Sequence, residues 1–371
     1  AIDDAYTAGG GTVYVPFSED GYLIVGSLVL LDNVRLKGFQ DEIYKPNIYS
    51  PDKMNYWRRG SCFLITGGAG STAGWTILMK NGTAIDGINF LYPNQIDANP
   101  PIQYPALIQL EYSNANAVTI QNCYMINPYI GIDAKGPHQE FRVQNVHGQA
   151  LYKGIMIDNA TSSDQLINVV WGIAWNRPDY DPSDSKRVTA FMQRNATAFD
   201  IYRADDIEMH ECFAFNYWIG FHLNAGGSNQ GSYGRMTNSA FDFCTTSIQS
   251  DNGIWENGWV IDNCHFVTAN GLGDRCHNIV INNNPMGDLR ISNCGFWSNP
   301  DLESHVYADS GSVGISNCFF RAGADATTTI EMHGSVSMSV SNSYFQLLKS
   351  TSYHFSFAPG FIGPPAIFTG C

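Results

Sequence analysis

The stretch Val118–Thr119–Ile120–Gln121–Asn122–Cys123 returns along the chain and is the main evidence for its fold. One altered copy reads Glu211–Cys212. The other copies share an alternating run, then Asn, then Cys or another residue, at Asn145–Val146, Asn168–Val169, Asn238–Ser239, Asn263–Cys264, Asn293–Cys294, Asn317–Cys318 and Asn342–Ser343. The steps between copies are 23, 23, 43, 27, 25, 30, 24 and 25 residues, and the long step is interpreted as one repeat plus an insertion. A near-constant period of this kind indicates a solenoid.

The length of the repeat identifies the kind of solenoid. A unit of ~24 residues is too short for a βαβ unit, which needs roughly 30 or more residues. Short alternating runs bounded by Gly, Asn, Asp or Ser turns are typical of strands. The sequence therefore predicts an all-β fold, a parallel β-helix in which each repeat is one turn, with about 12 rungs some 4.8 Å apart in a rod on the order of 60 Å long.

Three columns of the repeat are expected to form the scaffold. The Asn amides carry both donors and acceptors, so successive copies can hydrogen-bond from rung to rung. The repeated Cys position is expected to hold buried thiols that pack like small apolar groups. Aromatic rings three residues after the Asn are expected to stack; they are Phe241, Phe266, Phe296, Phe320 and Phe345.

Composition narrows the class of protein. The chain has 371 residues, a formal charge of −14 and a pI near 4.9. Acidic proteins repel phosphate backbones, so nucleic acid is excluded as the expected partner. A solenoid grows by adding rungs, so the length is consistent with a single domain over residues 1–371. The abundance of Tyr and Trp, 19 and 8 copies, suits β-structure with an aromatic binding face.

No sequence signal indicates a metal, a cofactor or a membrane segment. The nine cysteines include no CxxC pair, so we expect no zinc site, no other metal and no cofactor. No apolar run approaches the about 18 residues of a membrane span, so no membrane insertion is expected. No signal peptide is visible, and the abrupt start at Ala1 predicts that an upstream segment has been removed.

The first residues carry a family resemblance. Residues 1–16 read AIDDAYTAGGGTVYVP, and residues 21–39 read GYLIVGSLVLLDNVRLKGF. They resemble the opening of pectate-lyase-superfamily domains, which occur in secreted polysaccharide-active proteins and phage tailspikes. The resemblance implies a right-handed parallel β-helix, with a short N-terminal capping helix over residues 1–11, rungs over residues 12–345 and a C-terminal tail or cap over residues 346–371.

The middle of the chain resembles a bacterial subgroup of that superfamily often labelled glycosyl hydrolase family 28-related. The stretches are NPYIGIDAKG, NVHGQALYKGIMIDNA, INVVWGIAW and AFDIYRADDIEMHECFAFNYWIGFHL. The resemblance covers roughly residues 1–344. It implies a location outside the cell, at a cell surface or on a virion, and side-by-side homotrimers. The polygalacturonase motifs cannot be matched in order, and the pectate lyase calcium site is not evident, so the resemblance does not carry the activity.

Three stretches interrupt the repeat, at residues 40–60, 92–105 and 176–195. Long loops on a compact scaffold are usually functional or disordered. All three lie in the first part of the chain, while the repeats from about Gly258 onward are plain. The functional region is therefore expected on the N-terminal and middle coils.

The strand that closes each repeat supplies the candidate catalytic groups. Asp133 and Asp158 align at equivalent turn positions of neighbouring rungs, and Arg203 and Asp205 follow at the next turn. Carboxylates on adjacent rungs would lie ~5 Å apart, and those two rungs apart ~10 Å. Glycosidases need carboxyl pairs roughly 5–9.5 Å apart. We therefore predict Asp158 and Asp205 as the catalytic pair, tuned by Asp133 and Arg203, the alternative being ordinary turn residues.

Aromatic and charged residues near the long insertion supply candidate substrate contacts. Exposed Trp and Tyr rings stack on sugar rings through their apolar faces. Glu211 replaces the structural Asn with an ionisable group, which suggests function. The predicted substrate-binding residues are Tyr152, Lys153, Trp171, Trp175, Trp218 and Glu211. The alternatives are core packing for the rings and a solvated turn for Glu211.

The sequence favours a secreted glycoside hydrolase whose partner is a polysaccharide or oligosaccharide. The first alternative is a polysaccharide lyase in which Lys153 or Arg203 abstracts a proton from a uronate. The negative net charge argues against that reaction. The second alternative is a non-catalytic, tailspike-like fibre that binds glycans.

Overall fold

The computed structural model describes residues 1–39, 60–95, 98, 100–172, 188–227, 230–269, 272, 276–284, 287–298, 302–321, 328–346, 353–359, 361 and 366–371. The chain divides into two compact units, Ala1–Phe191 and Met192–Cys371. Each unit is built from parallel strands that pair with strands one repeat away. No helix in the described ranges is long and apolar enough to cross a membrane.

The first unit opens with a helix and continues with short strands. Its elements are α1 (Ile2–Thr7), β1 (Gly11–Val15), β2 (Tyr22–Ile24), β3 (Leu28–Leu30), β4 (Val34–Gly38), β5 (Cys62–Ile65), β6 (Trp75–Met79), β7 (Ala84–Asp86), β8 (Asn89–Leu91), a 3-10 turn (Pro93–Gln95), β9 (Ala106–Leu110), β10 (Thr119–Ile126), β11 (Ile130–Ala134), β12 (Arg142–Gln149), β13 (Lys153–Ile157) and β14 (Gln165–Trp171). Helix α2 (Val188–Asn195) contains the boundary between the units.

The second unit contains the remaining strands. They are β15 (Thr197–Ile201), β16 (Ile207–His210), β17 (Phe213–Phe215), β18 (Ile219–Asn224), β19 (Ser232–Thr237), β20 (Ala240–Cys244), β21 (Thr246–Asp251), β22 (Ile254–Asp262), β23 (His265–Thr268), β24 (Cys276–Asn282), β25 (Asp288–Ser292), β26 (Gly295–Ser298), β27 (Leu302–Ser316), β28 (Phe319–Arg321), β29 (Thr328–Ser341), β30 (Tyr344–Gln346), β31 (Tyr353–Phe357) and β32 (Ile367–Thr369).

The strands form three parallel ladders in each unit. In the second unit, ladder A holds β16, β19, β22, β25, the second halves of β27 and β29, and β32. Ladder B holds β17, β20, β23, β26, β28 and β30. Ladder C holds β15, β18, β21, β24, the first halves of β27 and β29, and β31. The chain visits A, B and C in turn, which confirms the predicted right-handed parallel β-helix.

The register of the ladders matches the sequence repeat. In the first unit, Thr119 pairs with Arg142, and Arg142 pairs with Gln165. Each step is one copy of the repeat, so equivalent residues lie side by side on successive strands. The ladders continue through β31 and β32, beyond residue 345, where the sequence predicts the last rung.

The repeated Asn stands at the bend between ladders A and B. Its φ is positive in every described copy, for example 52° at Asn145 and 53° at Asn263, and 55° at the altered copy Glu211. Asn tolerates this left-handed conformation better than most residues. The amides also bond between rungs: Asn145 Nδ2 donates to Asn122 Oδ1 across 3.1 Å, and Asn263 to Asn238 across 2.7 Å. The predicted amide column is confirmed, and the bend explains why the residue is Asn.

The predicted ring column lies in the core of the second unit. Ring centroids are 5.8 Å apart for Phe241 and Phe266, and 5.1 Å for Phe266 and Phe296. The series continues at 4.6 Å to Phe320 and 4.9 Å to Phe345. The repeated Cys residues are buried free thiols, as expected; they are Cys123, Cys212, Cys264, Cys294 and Cys318.

Helix α1 ends where the glycines begin. Gly10 has φ 122°, and a Cβ there would lie 2.8 Å from the Asn33 carbonyl oxygen, so only glycine fits this turn. The helix packs against β1 and β4, but none of its residues is buried. The predicted capping helix is present, and it covers the strands only loosely.

The insertions are described in part. Residues 40–59 and 176–187 lie outside the described residues, and residues 188–195 form α2 instead of a loop. The described part of residues 92–105 folds back on itself. Gln95 Nε2 donates to the Ile102 carbonyl oxygen at 2.6 Å, and Gln95 Oε1 accepts from the Ile102 backbone N–H at 2.8 Å. The buried rings of Tyr92 and Tyr104 lie 4.9 Å apart. This packing gives the segment a structural role.

Candidate functional site

A cluster of polar side chains stands on four consecutive strands of ladder C in the second unit. Asp200 on β15 pairs in register with His222 on β18. Asn224 on β18 pairs with Asp251 on β21, and Asp251 pairs with Asn282 on β24. These positions alternate with buried apolar residues along each strand, so their side chains share the outer face of the ladder.

His222 bridges the two carboxylates of the cluster. Its Nδ1 lies 3.2 Å from Asp200 Oδ1, and its Nε2 lies 2.8 Å from Asp251 Oδ2. Burial alone would lower the pKa of His222, but the two carboxylates outweigh it and raise that pKa above its ordinary value. The imidazole is therefore held in its charged form over a wider pH range than a free histidine.

Asp200 is the buried end of the cluster. Its carboxylate is fully buried and accepts from Asn224 Nδ2 at 2.5 Å and from the Tyr202 hydroxyl at 3.3 Å. Asn224 Nδ2 also lies 2.9 Å from His222 Nδ1. A carboxylate in this position cannot touch a ligand directly, so its effect passes through His222.

Asp251 is the exposed end. Its side chain is 37% exposed and accepts three hydrogen bonds, from His222, from Gln249 Nε2 at 2.6 Å and from Asn282 Nδ2 at 2.9 Å. Burial would raise the pKa of Asp251, but the bonds from His222, Asn282 and Gln249 outweigh it and hold that pKa below its ordinary value. Asp251 is thus an accessible carboxylate that stays ionised, as a general base or a nucleophile requires.

Apart from histidines, the ionisable side chains on the same ladder as Asp251 are mostly carboxylates. Across the described strands of ladder C in the second unit there is no Lys or Arg. The same strands hold carboxylates at Asp200, Asp251, Glu303, Asp309 and Glu331. This face therefore disfavours anionic ligands and suits an uncharged polar one.

The register corrects one alignment made from the sequence. Asp133 pairs with Met156, and Ala134 pairs with Ile157, so the strand position beside Asp158 is that of Lys135. Asp133 is buried and accepts from the Tyr112 hydroxyl at 2.8 Å, with Lys135 Nζ at 3.7 Å. The alignment failed because it matched Ile132 to Ile157, whereas the strands pair Ile132 with Ile155.

The predicted catalytic residues lie in different units. Asp158 belongs to the first unit, where its Oδ1 accepts from the Asn159 backbone N–H at 2.8 Å. Asp205 belongs to the second unit, where its Oδ2 lies 2.7 Å from a guanidinium nitrogen of Arg203. The Asn159 bond is a local turn contact, and the Arg203 contact is a partly exposed ion pair. The assignment of Asp158 and Asp205 as a catalytic pair stays a prediction.

The predicted substrate contacts differ in exposure. Tyr152 stacks on Tyr129 with ring centroids 5.0 Å apart, and Lys153 Nζ lies 5.5 Å from the Tyr152 ring. Trp171 is fully buried, which corrects the expectation that it is exposed to a sugar. Trp218 is 42% exposed. Trp175 lies outside the described residues.

Glu211 is exposed at the bend between ladders A and B of the second unit. Its Oε1 lies 3.4 Å from His210 Nε2. The residue keeps the backbone conformation of the Asn column, with φ 55°, so the ladder is continuous through it. Its predicted role in substrate binding stays a prediction.

The sequence contained a signal for the cluster that the search for paired carboxylates missed. The strands that hold Asp200, His222 and Asp251 are copies of one repeat strand. Aligned in the observed register, they place polar residues at the same two outward positions on consecutive strands. A search for any polar column on the outer face would have found the cluster. Within the described ranges, no group of three or more His, Cys, Asp or Glu side chains is arranged to hold a metal ion.

Comparison with known proteins gives a likeness of fold. No family model matches the chain, and no curated protein matches it in sequence. Among solved structures, a DFA-IIIase from Arthrobacter chlorophenolicus A6 in complex with DFA-III is 11% identical, with a TM-score of 0.56 over 97% of this chain and 84% of that one.

Two further structures are similar to the same extent. The A-module of mannuronan C-5 epimerase AlgE4 from Azotobacter vinelandii is 11% identical, with a TM-score of 0.51 over 97% of this chain and 94% of that one. A tailspike protein of E. coli bacteriophage HK620, in complex with a pentasaccharide, is 9% identical, with a TM-score of 0.57 over 100% of this chain and 73% of that one. At these identities the likeness extends to the fold.

Proposed function

We propose that the protein is a glycoside hydrolase that acts on an uncharged glycan, with Asp251 as its general base or nucleophile. The observation that carries the proposal is the state of Asp251. It is exposed, and hydrogen bonds from His222, Gln249 and Asn282 hold it ionised. Glycosidic hydrolysis uses a carboxylate in this role, together with a second acidic group that protonates the leaving-group oxygen, and Asp251 is assigned the first role only.

The neighbours of Asp251 in the cluster hold its carboxylate in place and keep it ionised. His222, held charged between Asp200 and Asp251, fixes the orientation of Asp251 and lowers its proton affinity. Asp200 lies two rungs from Asp251, a separation of about 10 Å along the ladder. Since Asp200 is buried, we assign it to holding His222 and not to direct proton transfer to the sugar.

Charge supports the choice of an uncharged glycan. The described ladder C strands of the second unit have no Lys or Arg to bind a uronate carboxylate. Elimination from a uronate needs that charge to be neutralised next to the base. Two similar structures are complexes with saccharide ligands, DFA-III and a pentasaccharide, which supports a saccharide substrate here.

The test is a panel of neutral and uronate-containing polysaccharides. We expect new reducing ends from at least one neutral glycan, without absorbance near 235 nm. Absorbance at that wavelength would instead establish elimination. Binding without any product would leave the fibre function as the correct one and would refute the hydrolase.

Three matched variants locate the site. Asp251→Asn removes the ionised carboxylate with little change in shape, and we expect it to abolish activity. Asp158→Asn and Asp205→Asn test the pair predicted from sequence. Loss of activity in these two variants, with full activity in Asp251→Asn, would place the chemistry at the predicted pair and not on ladder C.

The proposal includes a location outside the cell and assembly as a homotrimer, as the sequence resemblance implies. Sedimentation equilibrium tests the assembly directly. A single species at the mass of one 40.9 kDa chain would refute the trimer.

A further inference from the structure

A groove lies on the second unit at the bend between ladders A and B. Its volume is about 670 Å³. One side is formed by the exposed residues of the Asn column, and the other by outward side chains of ladder B, among them His265 and Phe319. We call it the bend groove. The Asp200–His222–Asp251 cluster is on ladder C, so the two sites use different faces of the strands.

A row of rings with one gap forms the ladder B side. His265, Gly295, Phe319 and Tyr344 pair in register on consecutive strands. The rings of Phe319 and Tyr344 are parallel within 2°, with centroids 5.4 Å apart, and they are 42% and 60% exposed. Gly295 has no side chain of its own in this row, and the His265 imidazole extends over its position. Adjacent exposed rings form a small apolar patch, and such a patch beside polar groups can mark a ligand-binding groove.

The missing side chain at Gly295 makes room for the His265 ring. A Cβ at this position would come within 2.6 Å of Cδ2 and Nε2 of the His265 imidazole. Alanine here would therefore displace the His265 ring, without a clash against the backbone. His265 and Phe319 both line the groove, so together they form its aromatic side.

The opposite side offers hydrogen-bonding groups. Asn238, Asn263, Asn293 and Asn317 are exposed and are fixed by the left-handed bend. Asn263 Nδ2 donates to Asn238 Oδ1 at 2.7 Å, and Asn293 Nδ2 donates to Asp262 Oδ1 at 2.7 Å. An amide has two donor hydrogens and two acceptor lone pairs. The column therefore presents further donors and acceptors at intervals of one rung, about 4.8 Å.

The charge of the lining indicates an uncharged ligand. The described lining residues include one carboxylate, Glu211 at one end, and no Lys or Arg. A phosphate, sulfate or uronate would find no cationic partner other than His265. Alternating hydroxyl groups and an apolar C–H face match this combination of amides and an aromatic ring.

We propose that the bend groove is a second binding site for a neutral oligosaccharide, with one pyranose ring packed against Phe319 and His265 and its hydroxyls on the Asn column. The site carries no catalytic group in this proposal and holds the chain of a glycan at a distance from Asp251. It goes beyond the proposed hydrolysis, because a glycan can bind here whether or not the protein cleaves it.

The test reads ligand occupancy at His265. Diethyl pyrocarbonate modifies accessible imidazoles, and peptide mass spectrometry reports the rate at each histidine separately. The probes are cellohexaose, xylohexaose, mannohexaose and maltohexaose, with hexagalacturonic acid as the charged comparison. We expect at least one neutral hexaose to slow modification of His265, by about tenfold at a concentration ten times its Kd. The rate at the exposed His354 should not change.

Two variants make the result specific. Gly295→Ala displaces the His265 ring from its place over Gly295, so the sugar loses one of its two ring contacts, and the ligand should no longer slow modification of His265. Gly314→Ala on ladder A is the matched control, because its Cβ would meet no atom closer than Ser339 Oγ at 3.6 Å; it should keep the protection. Protection by no neutral hexaose, equal protection in Gly295→Ala, or protection by hexagalacturonic acid alone would each overturn the proposal.

Discussion

The Nε2 atom of His222 lies 2.8 Å from Oδ2 of Asp251, and the Nδ1 atom of the same ring lies 3.2 Å from Oδ1 of Asp200. One charged imidazole thus serves a buried and an exposed carboxylate at the same time. The buried carboxylate fixes the ring, and the ring keeps the exposed carboxylate ionised. The three residues come from strands that are neighbours only because the helix repeats every turn.

The acid limb of the pH–rate profile should depend on His222. In the wild type, hydrogen bonds hold the pKa of Asp251 below its ordinary value against the opposing effect of burial. His222→Gln removes the charged partner, so the pKa of Asp251 should rise. We expect the acid limb of kcat/KM to move to higher pH. The measurement is kcat/KM against pH on the glycan that the panel identifies.

His333→Gln is the matched control for this experiment. His333 lies on the same ladder and also contacts a carboxylate, with Nε2 2.8 Å from Glu331 Oε1. The substitution leaves the Asp251 cluster intact, so the acid limb should stay in place. An equal shift in both variants would mean that the effect is not specific to His222.

Stability should depend on pH through the same pair. The pKa of His222 is raised on folding, so its contribution is complete below the unfolded value, about 6.5, and is lost as pH rises through the folded value. The pKa of Asp251 is lowered, so its contribution is complete above about 3.9 and is lost as pH falls through the folded value. The thermal midpoint of the wild type should therefore exceed that of His222→Gln most between about pH 4 and 6.5. A gap that widens above pH 8 would contradict this assignment.

Glu211→Asn should stabilise the protein. Glu211 holds a φ of 55° in a column where the other described copies are Asn. Asn adopts this conformation at lower cost than Glu and can also donate an amide hydrogen bond along the column. We expect the free energy of unfolding to rise by about 0.5–1 kcal/mol in denaturant titrations.

Two substitutions at Asn263 separate the backbone effect from the amide bond. Asn263→Gly keeps the left-handed backbone and loses the bond to Asn238, whereas Asn263→Ala loses both. Alanine should therefore destabilise the protein more than glycine by about 1 kcal/mol. Equal losses would mean that the amide column, and not the bend, requires Asn.

The scaffold could be predicted because each repeat places the same types of residue at the same strand and turn positions. The spacing of Asn122 and Asn145 in the sequence is the pairing distance of the strands, and the Asn, Cys and Phe columns follow from it. The left-handed bend at Asn could not be predicted, because the amide bonds between rungs are already a sufficient reason for Asn at this position. The same residue both bonds along the column and adopts a positive φ, and only the backbone angles show the second role.

The candidate site was harder to predict because it depends on register to within two residues. Matching Ile132 to Ile157 paired Asp133 with Asp158, whereas the strands place Asp133 beside Met156. A slip of two keeps side chains on the same face, so the hydrophobic pattern could not reveal the error. The sequence also could not show which tryptophans are buried. Trp171 and Trp218 both follow the repeat near the long insertion, yet Trp171 is fully buried and Trp218 is 42% exposed.

The ring column should carry much of the stability of the second unit. Phe296 is fully buried between Phe266 and Phe320, with centroids 5.1 and 4.6 Å away, while its chain neighbour Trp297 is 46% exposed. Phe296→Ala leaves a cavity between two stacked rings and should cost about 3–5 kcal/mol. Trp297→Ala removes a larger ring at the next position but creates no cavity, so it should cost well under half as much. Denaturant titrations of both variants test this, and similar losses would mean that the outward rings of ladder B support the fold as much as the stacked core.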